Sequence, residues 1–349
     1  VKHDRPVPRQ TETPKAAPAL LPVRIAGTGH ALPMAEVTSA EMDARLGLRP
    51  GTLAAATGVV ARRVCGAEDQ IDLAVAAAQA ALDRAGVGPA DIDLVLGACG
   101  IPYQTLPATA PLVMQRLGLP EGRAAAFDVN ATCLSFLAAL DLAALRIAAG
   151  MARNVLVFSS EVASRALPWD AQPEVAALFG DGAAAAVVTR AALPGQGIRA
   201  SLMETYPAAY DACRLGAGGT RIDFHRDPQG FAAEARFQMD GKALFRVTHR
   251  HFPDFVGRLL AAAGWTAADV DLVVPHQASP LALEHMVRET GFAPERVVNM
   301  AARLGNQIAA SIPTALDSAA RDCRIWPGAR VLLLGTSAGV SFGGMALVA

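Results

Sequence analysis

A fourteen-residue pattern occurs twice in this chain, so any fold it adopts must accommodate the pattern in two places. Leu82-Asp83-Arg84-Ala85-Gly86-Val87-Gly88-Pro89-Ala90-Asp91-Ile92-Asp93-Leu94-Val95 returns 178 positions later as Leu260-Ala261-Ala262-Ala263-Gly264-Trp265-Thr266-Ala267-Ala268-Asp269-Val270-Asp271-Leu272-Val273. Each copy reads as the end of a helix, a Gly stop, a capped turn and an apolar strand. The likeness continues downstream. Ala139-Leu140-Asp141, followed by Ala152-Arg153 and Val155–Val157, resembles Ala315-Leu316-Asp317, followed by Ala329-Arg330 and Val331–Leu333, at an offset near 176. Short apolar runs alternate with helix-like segments from Val23 onward, the signature of an α/β fold.

The organisation that follows has three parts. Residues 1–22 carry five prolines among charged residues, lack the apolar core of a signal peptide, and read as a mobile arm. Residues 23–195 form a first α/β half and residues 196–349 a second, the division falling near Pro194-Gly195-Gln196-Gly197. With 52% hydrophobic residues the 349-residue chain can bury a large core. No run has eighteen apolar residues free of charges and breakers, so a membrane span is not expected. A net charge of −1 offers no basic field to displace counterions, which disfavours nucleic-acid binding. The five cysteines are scattered, without close metal-ligand spacing, and read as reduced thiols of a cytoplasmic protein.

Three stretches carry candidate chemistry. Ala126–Phe136 runs from a strand-like segment into an alanine-rich helix with Cys133 at the junction. At a helix N-terminus, unpaired N–H groups and the dipole favour a thiolate, so a depressed thiol pKa is expected; the alternative is a buried structural cysteine. In the second half, Val273-Val274-Pro275-His276-Gln277-Ala278-Ser279 puts His276 at a strand terminus, where open α/β sheets place functional groups. Gly305-Asn306 precedes small residues that begin a helix, and Asn306 is either an N-cap or an uncharged N–H donor at a site. A last Gly-rich run, Gly335–Gly344, offers backbone N–H groups to an oxyanion or forms a plain hairpin.

Together these motifs resemble those of the β-ketoacyl-acyl carrier protein synthase III condensing enzymes, of the thiolase superfamily. The resemblance runs from about Val23 to Ala349. It includes Gly27-Thr28-Gly29, Asn130–Cys133, Phe179–Ala185, Met239-Asp240-Gly241-Lys242, Val274–Ala278, Gly305-Asn306 and Ala338-Gly339. It implies a thiolase-like fold, two duplicated halves in a five-layer αβαβα sandwich, and a ping-pong Claisen condensation in specialised fatty-acid or polyketide-type metabolism. Cys133 would take an acyl group, with the N–H groups of Cys133 and Gly339 holding its carbonyl oxygen. His276 and Asn306 would stabilise the enolate left when a malonyl-type thioester loses carbon dioxide. Substrate contacts would fall to Phe179, Met239, Gly241, Ser279 and Gly305.

The resemblance further implies no metal or redox cofactor, acyl-coenzyme A or acyl carrier protein thioesters as substrates, and a homodimer in which Tyr103–Pro107 comes from the neighbouring subunit. Departures from the family pattern point away from an ordinary acetyl-coenzyme A primer. Thr52–Gly58 lacks the Trp and Arg that sandwich adenine, and Ser279 and Leu281 replace the usual Asn and basic docking residue. Phosphate or carrier contacts would then come from Arg62, Arg63, Arg214 or Arg246. Rival readings are an acyltransferase passing the Cys133-bound group to an alcohol or amine, a cysteine hydrolase, and a catalytically silent partner subunit of a condensing heterodimer.

Overall fold

The structure is a computed structural model that describes residues 21–349. The expected arm thus lies outside the described residues except for Leu21 and Pro22. Both copies of the repeat fold alike. Asp69 caps the helix Gln70–Ala85 by accepting from the N–H groups of Ile71 and Asp72, and Gly86 ends it at φ 65°, ψ 32°. The helix Gly241–Ala263 ends on Gly264 at φ 72°, ψ 30°. A left-handed stop of this kind costs a Cβ-bearing residue roughly 1–2 kcal/mol, hence Gly at both sites. Each stop is followed by a 3₁₀ turn, Pro89–Asp91 or Ala267–Asp269, and a strand, Leu94–Gly97 or Leu272–Pro275. The Asp93 carboxylate accepts from the N–H groups of Arg153 and Asn154, and that of Asp271 from Arg330 N–H.

The first sheet has five strands in the order Val23–Ala31, Gly182–Arg190, Asn154–Glu161, Leu94–Gly97 and Ala125–Asp128. Leu94–Gly97 runs parallel to both its neighbours; the remaining pairs are antiparallel. The second sheet orders Leu272–Pro275, Arg330–Ser337, Ser341–Val348 and Gly197–Thr205, with only the first pair parallel. It repeats four of the five positions, and an isolated parallel bridge from Val273 to Val297 stands at the fifth.

Strand residues alternate between faces, and each face meets a helix layer. Leu94, Leu96, Val155 and Val157 of the first sheet and Leu272, Val274, Val331 and Leu333 of the second share one core with the helices Ser135–Ala148 and Ser311–Arg321. The opposite face of the first sheet, Val95, Leu156 and Phe158, packs on Gln70–Ala85 and Thr109–Arg116. That of the second, Val273, Leu332 and Leu334, packs on Gly241–Ala263 and Pro280–Thr290. The layers are therefore α, β, α, β, α, the thiolase-like sandwich.

Asp317, fully buried in the central layer, fastens the halves together. Its carboxylate accepts from Thr28 Oγ1 (2.7 Å), pairs with His30 Nδ1 (2.5 Å) and Arg84 (2.9 Å) of the first half, and meets Arg321 (2.7 Å) of its own helix. Burial opposes its ionisation, but the hydrogen bonds from His30, Thr28 and Arg321 outweigh that and hold its pKa at about 2.

Candidate active site

The two central helices are entered by the same turn. In the first half Asn130 Oδ1 accepts Thr132 N–H (2.9 Å), Thr132 has φ 53°, and Ser135 Oγ donates to Thr132 O (2.7 Å). In the second half Asn306 Oδ1 accepts Ile308 N–H (2.8 Å), Ile308 has φ 50°, and Ser311 Oγ lies 2.8 Å from Ile308 O. A positive φ is an outlier for β-branched residues, Thr and Ile alike, yet each is held by side-chain contacts on both sides. The first turn, Thr132–Leu134, delivers the Cys133 thiol, and the second, Ile308–Ala310, is entered from the Asn306 amide; the turns pack against each other.

Asn306 is 8% exposed, with its oxygen committed to the turn, while its Nδ2 has no protein partner among the described residues. Cap and free donor are thus compatible roles of one side chain. Gly305 precedes it at φ 66°, where a Cβ would press on Leu178 O at 2.7 Å, and this allows Asn306 N–H to reach that carbonyl at 2.7 Å.

His276 follows the strand Leu272–Pro275 and is 5% exposed. Burial lowers its pKa to about 4, so the ring is neutral at physiological pH. Its Nδ1 lies 2.6 Å from Ser311 Oγ, which also receives Gln277 N–H at 3.3 Å. Gly335 lets these parts close together: a Cβ there would meet Leu134 Cδ2 at 2.8 Å and His276 Cβ at 3.2 Å. The Gly-rich run is a hairpin of Arg330–Ser337 and Ser341–Val348, and Ser337 Oγ donates to Ala131 O (2.8 Å), just before the turn that carries Cys133.

Comparison with known proteins places this arrangement. Residues 127–207 match the family profile for 3-oxoacyl-[acyl-carrier-protein] synthase III, and residues 260–349 match that for its C-terminal part. The chain is 38% identical to the beta-ketoacyl-[acyl-carrier-protein] synthase III 3 of Streptomyces coelicolor over 338 residues, 93% of this chain and 96% of the relative. The chain belongs to the 3-oxoacyl-[acyl-carrier-protein] synthase III family. Among solved structures, the synthase III of Aquifex aeolicus aligns with a TM-score of 0.84 at 30% identity, covering 94% of this chain and 100% of that one. The priming beta-ketosynthase of the R1128 polyketide pathway aligns with a TM-score of 0.84 at 29% identity, covering 96% and 98%.

The thiol of this family member departs from the expectation of a depressed pKa. Burial pushes Cys133 up, and the nearby Cys213 thiol and Glu161 carboxyl push it further. The N–H groups of Ala338 and of Cys133 itself lower it, but not enough to offset desolvation. The helix end is real; desolvation by the apolar side chains packed around it dominates. Cys133 remains partly accessible and packs with Ala163, Val175, Phe179 and Ile308, beside Phe237 and Met239. Phe179 and Phe237 meet edge to face at 5.0 Å.

The other sequence-derived candidates fall in different places. Phe179 and Met239 belong to the apolar cluster against which Cys133 packs, and Phe179 also bridges to Asn306. Gly241 is exposed at the first turn of its helix, and Ser279 caps Pro280–Thr290 by accepting Ala282 N–H. The N–H of Ala338 acts on the Cys133 thiol, and Gly339, whose N–H the resemblance assigns to the acyl carbonyl oxygen, lies next to it at φ 121°. Of the four arginines, Arg62 is fully buried, Arg63 pairs with Glu36, and Arg214 pairs with Asp211 and Glu234. Arg246 is exposed and has no ion-pair partner among the described residues. The face of Thr52–Thr57 that carries Thr52, Ala55 and Ala56 is exposed, with neither an aromatic ring nor a cation.

Sequence reasoning missed Ser311 and Glu161. Ser311 was open to discovery, since Asn130 to Ser135 and Asn306 to Ser311 share one spacing. Glu161 is wholly buried, its carboxylate accepting from the N–H groups of Gly100 and Ile101 (3.2 Å to the latter). Nothing in its neighbours in sequence announces that.

Proposed function

We propose that this protein is a β-ketoacyl synthase of the synthase III type, forming a carbon–carbon bond between a Cys133-bound acyl group and a malonyl-type thioester. The reading rests on the duplicated turn, which packs the turn carrying Cys133 against the turn entered from Asn306, with a neutral His276 tied to the second turn through Ser311. Cys133 attacks an acyl thioester; the new thioester forms as the old carbon–sulfur bond breaks, and the cysteine proton leaves with the departing thiol. The malonyl-type thioester then loses carbon dioxide, and the electron pair of the broken bond becomes an enolate. Asn306 Nδ2–H and His276 Nε2–H donate to its oxygen, and preorganised donors of this kind are each worth about 10²–10³ in rate. The enolate carbon attacks the acyl carbonyl, the bond to sulfur breaks, and Cys133 regains a proton.

A neutral imidazole suits this task because a buried cation would carry a large desolvation cost. The acyl donor we favour is carried by a protein rather than by coenzyme A, since the adenine sandwich is missing from Thr52–Gly58 and Arg246 is the free cation among the four considered. The priming ketosynthase likeness supports a specialised pathway.

Intact-mass measurement after incubation with acyl-coenzyme A and acyl-carrier thioesters identifies the donor by the mass added to Cys133. Release of carbon dioxide from a malonyl thioester by the acylated enzyme then separates condensation from simple acyl transfer. If an alcohol or amine discharges Cys133 while no malonyl-type thioester is decarboxylated, the acyltransferase reading takes its place.

A further inference from the structure

The helices Gly241–Ala263 and Pro280–Thr290 pack together on the outer face of the second sheet and assemble three side chains that the chemistry above does not use. His285 and Glu289 are one turn apart on the second helix, and His249 comes from the first. One donor atom from each lies within 4.8 Å of the others. The Nδ1 atoms of His249 and His285 each stand 3.9 Å from a different oxygen of Glu289. That spacing is too long for a hydrogen bond. Two donors on one tetrahedral ion, each at about 2.0–2.2 Å, stand roughly 3.3–3.6 Å apart, so the two His–Glu289 pairs need to close by a few tenths of an ångström and the widest separation in the set, up to 4.8 Å, by about 1 Å through side-chain rotation.

Two further observations point to a missing ligand. Neither imidazole is fixed by a hydrogen bond among the described residues, so both Nδ1 atoms that face Glu289 are free to take a ligand. Phe245 packs against both rings, 4.9 Å from His285 and 5.7 Å from His249, screening the pair from water on that side. We infer that His249, His285 and Glu289 form a binding site for one divalent transition-metal ion of the zinc class. Two imidazoles and one carboxylate suit zinc better than magnesium or calcium, which prefer oxygen, and three protein ligands leave a fourth position open. The cavity lined by these three residues is lined also by Pro275, His276 and Gly335, so the ion would sit in the wall of a space that adjoins the candidate active site. The ligands are 36 and 40 positions from the first to the others in sequence, which is why no short motif marks them.

The test uses the full chain, stripped with a chelator and titrated with Zn²⁺ by calorimetry and with Co²⁺ by visible absorption; neither readout depends on the proposed catalytic activity. About one ion per chain is expected, with a Co²⁺ spectrum that lacks a thiolate charge-transfer band. His285→Ala should weaken binding by at least the ~10–100-fold that loss of a mere outer-shell partner costs, His249→Ala likewise, and the exposed neighbour Glu284→Gln should leave it unchanged. All three positions are at the protein surface or partly so, and circular dichroism confirms that the variants fold. No Zn²⁺ binding by the wild type, undiminished binding by His249→Ala/His285→Ala, or a thiolate band with Co²⁺ would each overturn the assignment.

Discussion

Ser311 Oγ lies 2.6 Å from His276 Nδ1 and 2.8 Å from Ile308 O, and it has one proton to give. If the proton goes to Nδ1, the ring carries its own proton on Nε2 and can donate to a thioester oxygen. If it goes to Ile308 O, the ring must donate from Nδ1, and Nε2 is left as a bare acceptor. Ser311 is therefore a positioning residue whose hydroxyl selects the His276 tautomer.

The Nε2–H tautomer is expected in the resting enzyme, and ¹⁵N chemical shifts of the His276 ring report it directly. Ser311→Ala should leave acylation of Cys133 intact, lower malonyl decarboxylation by about 10-fold or more, and shift the tautomer signals. A wild-type ring protonated on Nδ1 would overturn this role for Ser311.

His276 also sets an expectation for pH. Its folded pKa, about 4, lies below that of a free imidazole, so the unfolded chain binds the extra proton first. The contribution is complete above about pH 6.5 and is lost as the pH falls towards 4. The acidic limb of the decarboxylation rate should accordingly fall near pH 4. A limb near pH 6.5 in a profile measured with acyl-loaded enzyme would show that the ring is solvated and not buried.

The thiol offers a third expectation, one that depends on position and not on pKa. Cys213 and Cys65 are pushed up to about 11 and about 12, mainly by burial, and Cys133 is raised as well. None of these three is favoured by easy ionisation. Cys133 alone is a partly accessible thiol at the turn that opens the central helix, so acyl mass should vanish in Cys133→Ala and persist in Cys213→Ala. Persistence in Cys133→Ala would overturn the nucleophile.

The fold was legible because the repeat is carried by local chemistry: Gly86 and Gly264, Asp93 and Asp271, and the strands after them each act within a few residues. The site was legible in part. Cys133, His276 and Asn306 stand at element junctions that the repeat itself locates. The raised thiol pKa was not, because desolvation sums over Phe179, Ile308, Val175 and Ala163, which come from separate parts of the chain. The fate of Arg62 was hidden for the same reason: it donates to Ser39 Oγ and Ala177 O, which are 23 and 115 positions away in sequence.

Association is a fourth expectation. The strand Ala125–Asp128 pairs on one side only among the described residues, and an open edge invites a second strand. Leu106 is highly exposed, in the Tyr103–Pro107 segment that the family resemblance assigns to a neighbouring subunit. A dimer of about twice 36.1 kDa is expected by light scattering, and Ala125→Lys, which charges the edge, should weaken it. A strictly monomeric, active wild type would refute the pairing.

The last expectation concerns Glu161, whose carboxyl faces Cys133 from inside the first half. Burial raises its pKa to about 8, against the lowering effect of N–H donation from Gly100, Ile101 and Ala309. The folded protein thus holds a proton that the unfolded chain releases near pH 4.5. The stability associated with that proton is complete below about pH 4.5, declines as pH rises towards 8 by up to about 1.4 kcal/mol per unit, and is level above that. Denaturant midpoints of the wild type should fall across this window, and those of Glu161→Gln should not show the added slope. The same charge acts on the site. As Glu161 ionises it pushes the Cys133 thiol further up, so acylation by the variant should exceed that of the wild type most clearly above pH 8. Parallel stability profiles, with equal acylation rates at alkaline pH, would show that Glu161 is ionised throughout and that its three backbone donors outweigh its burial.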